Sequence, residues 1–327
     1  CALIQRAPLG MEQFLASEAS DKISELRNIR ERNNACVSIL CDYINRQPRL
    51  ITKAMMQRLE HSSGQYEEAV FTALLVAAYD LDTEQNEEDR ILVNEYFRPA
   101  IHRLDPETYA SNPYYRNIRI PEEKFHQWEL GYESYEAYEG FIYKDLCLSE
   151  QMKETPSVGF FREAFRFPAV RENGREWMAI KPNEIETSQH AVDMAHGKTI
   201  TFGLGLGYFA YMASLKPEVE SVTIVERDKD VICLFEQFIL PQFEHKHKIK
   251  VVLADAFEYA SLQMPAEDFD FAFVDLWHDV SDGLNLFLRM KELEKLSPQT
   301  SFSYFLLVSS LDYPIELHYS QTLLCRI

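Results

Sequence analysis

Three glycines at alternate positions, Gly203, Gly205 and Gly207, sit between two short apolar runs, and no other stretch of this 327-residue chain restricts its fold as much. The first run, 199–202 (TITF), has the length of a buried strand, and the second, 222–225 (VTIV), closes on Glu226. Residues 208–215 between them are apolar-rich and of helical length, and Lys216-Pro217 supplies a turn. Strand, glycine turn, helix and strand make a βαβ unit. Without a Cβ, Gly203 and Gly205 allow a tight turn and a close approach of backbone to a ligand, and Gly207 allows the helix to start close against the strand. Glu226 then stands at a carboxyl strand end, where a carboxylate can accept both hydroxyls of a ribose.

A dinucleotide fingerprint, G-x-G-x-x-G, needs glycine at 208, and this chain has Tyr208, which argues against an NAD-dependent oxidoreductase. The alternating loop followed by Glu226 resembles the first motif of the class I S-adenosylmethionine-dependent methyltransferases. That resemblance implies that the loop passes the methionine part of the cofactor and that Glu226 holds its ribose. The family often carries an acid two residues before the first glycine. Here that residue is Thr201, so the cofactor's amino group needs another partner.

The rest of the cofactor half runs in regular βα steps. Residues 249–253 read as a third strand, followed by Asp255, Ala256 and Phe257, and 269–274 as a fourth, followed by Asp275, Trp277, His278, Asp279 and Asp282. Open α/β sheets present their reacting groups at such strand ends. By the resemblance, Asp255 reaches the adenine amino group with Phe257 against the ring, Ala256 belongs to the same cofactor site, and Asp275 lies on the acceptor side. Asp255 also reads as the cap of the helix that follows. Asp275 and His278 are the catalytic candidates, His278 as general base, and Trp277 is a wall or a cation–π partner for substrate. Residues 301–309 read as strand five. His245 and His247 lie in a charged turn, and no metal site is expected.

Upstream, residues 11–104 carry apolar positions at helical spacing, with an almost wholly apolar helix at 66–81. Residues 105–150 are rich in tyrosine and broken by proline, and they form either a substrate collar that includes Tyr114, Tyr115 and Arg116 or a packed connector. Asn173-Gly174 between 166–172 and 175–182 predicts a β-hairpin with a type I′ turn. A helix over 184–196 follows. Hairpin, helix and glycine loop in this order are similar to the layout of spermidine synthases. By that likeness, Ser188, Gln189 and His190 are candidates for the cofactor or acceptor pocket.

The expected architecture is α/β. A Rossmann-like class I methyltransferase sheet with helices on both faces occupies 156–327 behind its β-hairpin, and an all-α domain occupies 1–155. A formal charge of −19, shared almost evenly between the two halves, leaves no basic stripe for nucleic acid. No apolar run is long enough to span a bilayer, and six scattered cysteines without a C-x-x-C pair suit a reducing, cytoplasmic setting. The expected cofactor is S-adenosylmethionine and the expected partner a small molecule, with a homo-oligomer through the helical domain left open. Two alternatives stand beside methyl transfer: aminopropyl transfer, and a non-catalytic nucleotide-binding scaffold.

Overall fold

The computed structural model describes residues 9–63, 66–277 and 280–305, and the fold is mixed α/β. Helix α1 (Leu9–Arg46) buries Ile29, Asn33, Cys36, Val37, Leu40 and Tyr43, a stripe at helical spacing. It stops short of Pro48, which has no N–H to continue it. Helices α2 (Lys53–Ser63) and α3 (Glu67–Ala78) follow. Next come α4 (Glu87–Leu92), a π-helical turn over Val93–Phe97 and the short α5 (Arg98–Ala100). The Asn86 side chain caps α4 by accepting from the N–H groups of Glu88 and Asp89.

The expected all-α segment ends at Ala100. Beyond it lie β1 (Ile101–Arg103), two short proline-started helices, α6 (Pro106–Ala110) and α7 (Pro113–Asn117), then β2 (Glu123–Phe125), β3 (Trp128–Tyr135), β4 (Phe141–Leu148) and β5 (Glu154–Phe160). β1, β5 and β4 form a three-stranded sheet under the helices, where Phe71 stacks on Phe160 with centroids 4.4 Å apart. β2 and β3 join β6 (Phe165–Glu172) and β7 (Arg175–Ala179) in a four-stranded antiparallel sheet. Pairing of β3 with β6 therefore spans the expected boundary at 155. The aromatic residues at 128–143 take the pleated surface that suits them; Tyr135 stacks on Phe141 at 3.8 Å. The β6–β7 turn is as expected, with Asn173 at φ 50° and Gly174 at φ 79°.

Helix α8 (Pro182–Met194) leads into a five-stranded, all-parallel sheet of β8 (Gly197–Phe202), β9 (Val219–Glu226), β10 (Ile249–Leu253), β11 (Phe271–Val274) and β12 (Ser301–Tyr304). The Lys216 ammonium, at the turn before β9, donates to the carbonyls of Val192, Asp193 and Ala195 and so closes the end of α8. The strands lie in the order β10-β9-β8-β11-β12. Helices α9 (Tyr208–Ser214), α10 (Lys229–Leu234), α11 (Ala256–Leu262) and α12 (Val280–Glu294) connect them. Both faces are covered, as an all-parallel sheet requires. Phe271 and Phe273 of β11 pack in one core with Phe209 of α9, and Ala272 and Val274 in another with Tyr259 of α11 and Phe287 of α12. The chain lays down β8, β9 and β10 in one direction, then crosses back to β11. This reversal leaves a crevice beyond the carboxyl ends of β8 and β11. Among the described residues, no helix is long and apolar enough to cross a membrane.

Candidate active site

A cavity of about 200 Å³ opens in that crevice. Its wall takes Gly203, Leu204 and Gly205 from the loop after β8, Glu226 and Arg227 after β9, Asp255, Ala256 and Phe257 after β10, and Asp275, Leu276 and Trp277 after β11. The remaining side is Trp177 and Met178 of β7 with Lys181, Asn183 and Glu184 at the start of α8.

The loop is held from several sides. Gly203 lies at φ 104° against the Asp275 backbone, where an added Cβ would stand 2.1 Å from the carbonyl oxygen. Its own N–H donates to the Val225 carbonyl at 3.0 Å. Gly205 faces the Met178 thioether, which also accepts from the Leu206 N–H at 3.3 Å. Gly207 does not line the cavity: it is pressed against the Phe235 ring in the core and starts α9 from a left-handed φ of 73°, so its lack of a Cβ serves packing and the turn. Behind the loop, the Tyr114 hydroxyl donates to the Leu206 carbonyl at 2.6 Å. Tyr115 stacks on Phe165 and donates to the Ile180 carbonyl. The tyrosine-rich segment is therefore a packed connector, and Tyr115 is no part of the cavity wall.

Glu226 faces the cavity with its carboxylate already engaged. Oε1 accepts from the N–H groups of Arg227 and Asp228 at 2.7 and 2.8 Å, and Oε2 from Leu204 at 3.2 Å. A carboxylate has roughly four lone-pair positions, so one on Oε2 is left for a ligand. Burial raises its pKa, and the three N–H donors oppose that shift. Asp255 caps α11 through the N–H groups of Phe257 and Glu258 while standing in the wall. The Phe257 ring carries the Arg289 guanidinium at 3.9 Å on one face. Trp277 is buried, lies nearly parallel to Tyr304 and is packed against Gly283. His278 and Asp279 lie outside the described residues.

Gln189 and His190 are exposed on the wet face of α8, where Gln189 donates to Asp193 at 2.7 Å, so neither reaches the cavity. The inner face of α8 carries instead Ser188 and, one turn earlier, Glu184. This i, i+4 relation places Glu184 in the wall opposite Asp275. Desolvation pushes the Asp275 carboxyl up to about 7. Desolvation raises Glu184 well above its ordinary value, the Asp275 charge adds to this, and the Ser188 hydroxyl and Lys181 oppose it. Burial thus favours the neutral form of both carboxyls, and a negative charge on Asp275 favours it further for Glu184.

Asn183, beside Glu184, is 3% exposed, and neither its Oδ1 nor its Nδ2 has a partner. Each unmet buried polar group costs about 1–3 kcal/mol, and among the described residues no other buried side chain leaves two polar atoms unmet. The sequence reading passed over Asn183, Glu184 and Met178; the signal for them was Pro182, which fixes the first turn of α8 at the sheet edge. No protein-family model matches the chain, and no curated protein matches its sequence.

Proposed function

We propose that this protein is an S-adenosylmethionine-dependent transferase with a Rossmann-like sheet of the class I methyltransferase kind, most simply a methyltransferase acting on a small molecule. The observation that carries this reading is a convergence. The glycine loop after β8 and the carboxylates that follow β9, β10 and β11 all stand in the wall of one cavity, at the reversal of strand order. The residues fit an adenosyl ligand. Glu226 keeps a lone pair for a ribose hydroxyl, and Asp255, Ala256 and Phe257 would border the adenine. Met178, a flexible thioether resting on the loop, is the side chain that must move aside.

When bound, the cofactor supplies a methyl group on a sulfonium, already a good leaving group. The chain contributes orientation and the exclusion of water. With its carboxyl near 7, Asp275 is partly ionised at neutral pH and suited to take a proton from an acceptor's hydroxyl or ammonium group. A second reading, aminopropyl transfer, is favoured by the excess of acids in the wall. Glu176, Glu184, Glu226, Asp255 and Asp275 stand there against Lys181 and Arg227, a balance that suits a polycation.

Calorimetry with S-adenosylhomocysteine, decarboxylated S-adenosylmethionine and NAD separates these readings. S-Adenosylhomocysteine is expected to bind, NAD to give no heat, and Glu226→Ala to abolish the binding. Tight NAD binding would overturn the proposal, and preference for the decarboxylated compound would favour aminopropyl transfer.

A further inference from the structure

We propose that Asn183 and Glu184 form a clasp for the α-amino-acid end of the ligand, with the α-ammonium on the Glu184 carboxylate and the α-carboxylate on the Asn183 carboxamide. The proposal rests on the adenosyl reading above and names the residues that replace the acid missing at position 201. Thr201 cannot serve: it is uncharged, buried, and its hydroxyl lies 3.5 Å from the Gly203 carbonyl of its own loop.

Three features point to α8 instead. Asn183 is shut away from water with both ends of its carboxamide unmet. A partner that satisfies it must bring an acceptor for the amide N–H and a donor for the amide oxygen, close together. An amino-acid head, carboxylate beside ammonium, brings both, and an aminopropyl chain brings only the donor. Glu184 is the neighbouring residue, steadied by the Ser188 hydroxyl at 3.3 Å and facing Asp275. A cation arriving there relieves the like-charge contact between the two carboxyls. Finally, α8 begins without any side-chain cap, at Lys181 and Pro182. Its first turn therefore adds the positive end of a 13-residue helix to the carboxylate's surroundings.

The sheet order fixes the direction of the ligand. Glu226 and Asp255 follow β9 and β10 on one side of β8, while Asp275, which faces Glu184, follows β11 on the other. The nucleoside end thus belongs to the β9–β10 side and the amino-acid end to the β11 side, with the glycine loop between.

The test is calorimetry on the full chain with S-adenosylhomocysteine and with 5′-methylthioadenosine, which lacks the amino-acid end. The unmodified protein is expected to bind S-adenosylhomocysteine at least tenfold tighter than methylthioadenosine. Asn183→Leu and Glu184→Gln should each weaken S-adenosylhomocysteine by about tenfold and leave methylthioadenosine within about threefold. Asn183→Asp keeps the shape and opposes the ligand's carboxylate, so it should give the same selective loss if the leucine variant does not fold. An unchanged ratio of the two affinities in all variants would overturn the clasp and leave the adenosyl reading standing. Failure of both compounds to bind the unmodified protein would bring down the adenosyl reading itself, and the clasp with it.

Discussion

Two buried asparagines mark the difference between the helical body of this protein and the edge of its parallel sheet. Asn33 of α1 is used at both ends: its Nδ2 donates to the Met152 carbonyl at 2.9 Å and its Oδ1 accepts from the Glu154 N–H at 3.2 Å. It ties the long helix to β5 and the turn before it. Asn183 of α8 is as well buried and is used at neither end. Acidic groups divide in the same way. In the body, Glu67 lies between Arg103 and Arg162, and Glu139 meets Arg49 at 2.9 Å. At the sheet edge Glu184 faces another carboxylate. These groups of the body answer one another and so serve stability, the partnerless buried hydroxyl of Tyr96 being an exception. An edge whose polar groups remain unanswered is built for something that arrives from outside.

The largest expected effect lies within the glycine loop, where the same division recurs on a smaller scale. Gly203→Ala would drive a Cβ into the Asp275 backbone from a left-handed φ, and backbone cannot step aside. A loss of roughly 3–5 kcal/mol in urea-unfolding free energy is expected. Gly205→Ala meets only the end of the Met178 side chain and should lose about 1–2 kcal/mol. Equal losses would mean that the loop does not separate a glycine of the fold from a glycine of the pocket. Next in size is the asparagine pair itself. Asn33→Leu strands a carbonyl and an N–H, for a loss on the order of 2 kcal/mol, while Asn183→Leu strands nothing and should be neutral or stabilising by up to about 1 kcal/mol. If Asn183→Leu proved the more damaging of the two, the contrast between body and edge would be wrong.

Where the chain's own local pattern decides structure, the sequence was readable. The strand at 249–253 and the turn at Asn173-Gly174 fall where expected, and the glycine loop lies between the two predicted strands. Glu226, Asp255 and Asp275 all reach one cavity because strand ends in an open parallel sheet share an edge. Residues 101–160 were misread in part because β1 and β3 take distant partners, β5 and β6. β3 pairs with β6 across 30 to 44 residues, and Glu129 and Glu133 share one face of β3 with Tyr135, which packs on Phe141. On α8, Ser188 was chosen on the correct face, but Gln189 and His190 follow it around to solvent. That Asn183 has no partner is a property of its neighbours, invisible in any one residue. His278 and the end of the predicted fifth strand, 306–309, lie outside the described residues.

The smallest effect is the one most sensitive to conditions. The Asp275 pKa is raised from an ordinary value near 3.8 to about 7, and that of Glu184 is raised well above its ordinary value. The folded state therefore keeps protons that the unfolded chain has already released, so stability falls as pH rises from about 4 through about 7. Glu184 of α8 and Lys181 just before it are the charged groups acting at this point: the Asp275 charge opposes ionisation of Glu184, and Lys181 eases it. Asp275→Asn removes one of the two protonation demands and lowers the other. Its urea-unfolding free energy should match that of the unmodified protein near pH 4 and exceed it at pH 8, by on the order of 1–2 kcal/mol. Asp42, in the body, is paired with Arg46 at 2.8 Å, so Asp42→Asn should give no such rising gain. Parallel pH profiles for Asp275→Asn and the unmodified protein would show that the edge holds no shared proton, and the distinction between the two regions would then rest on Asn183 alone.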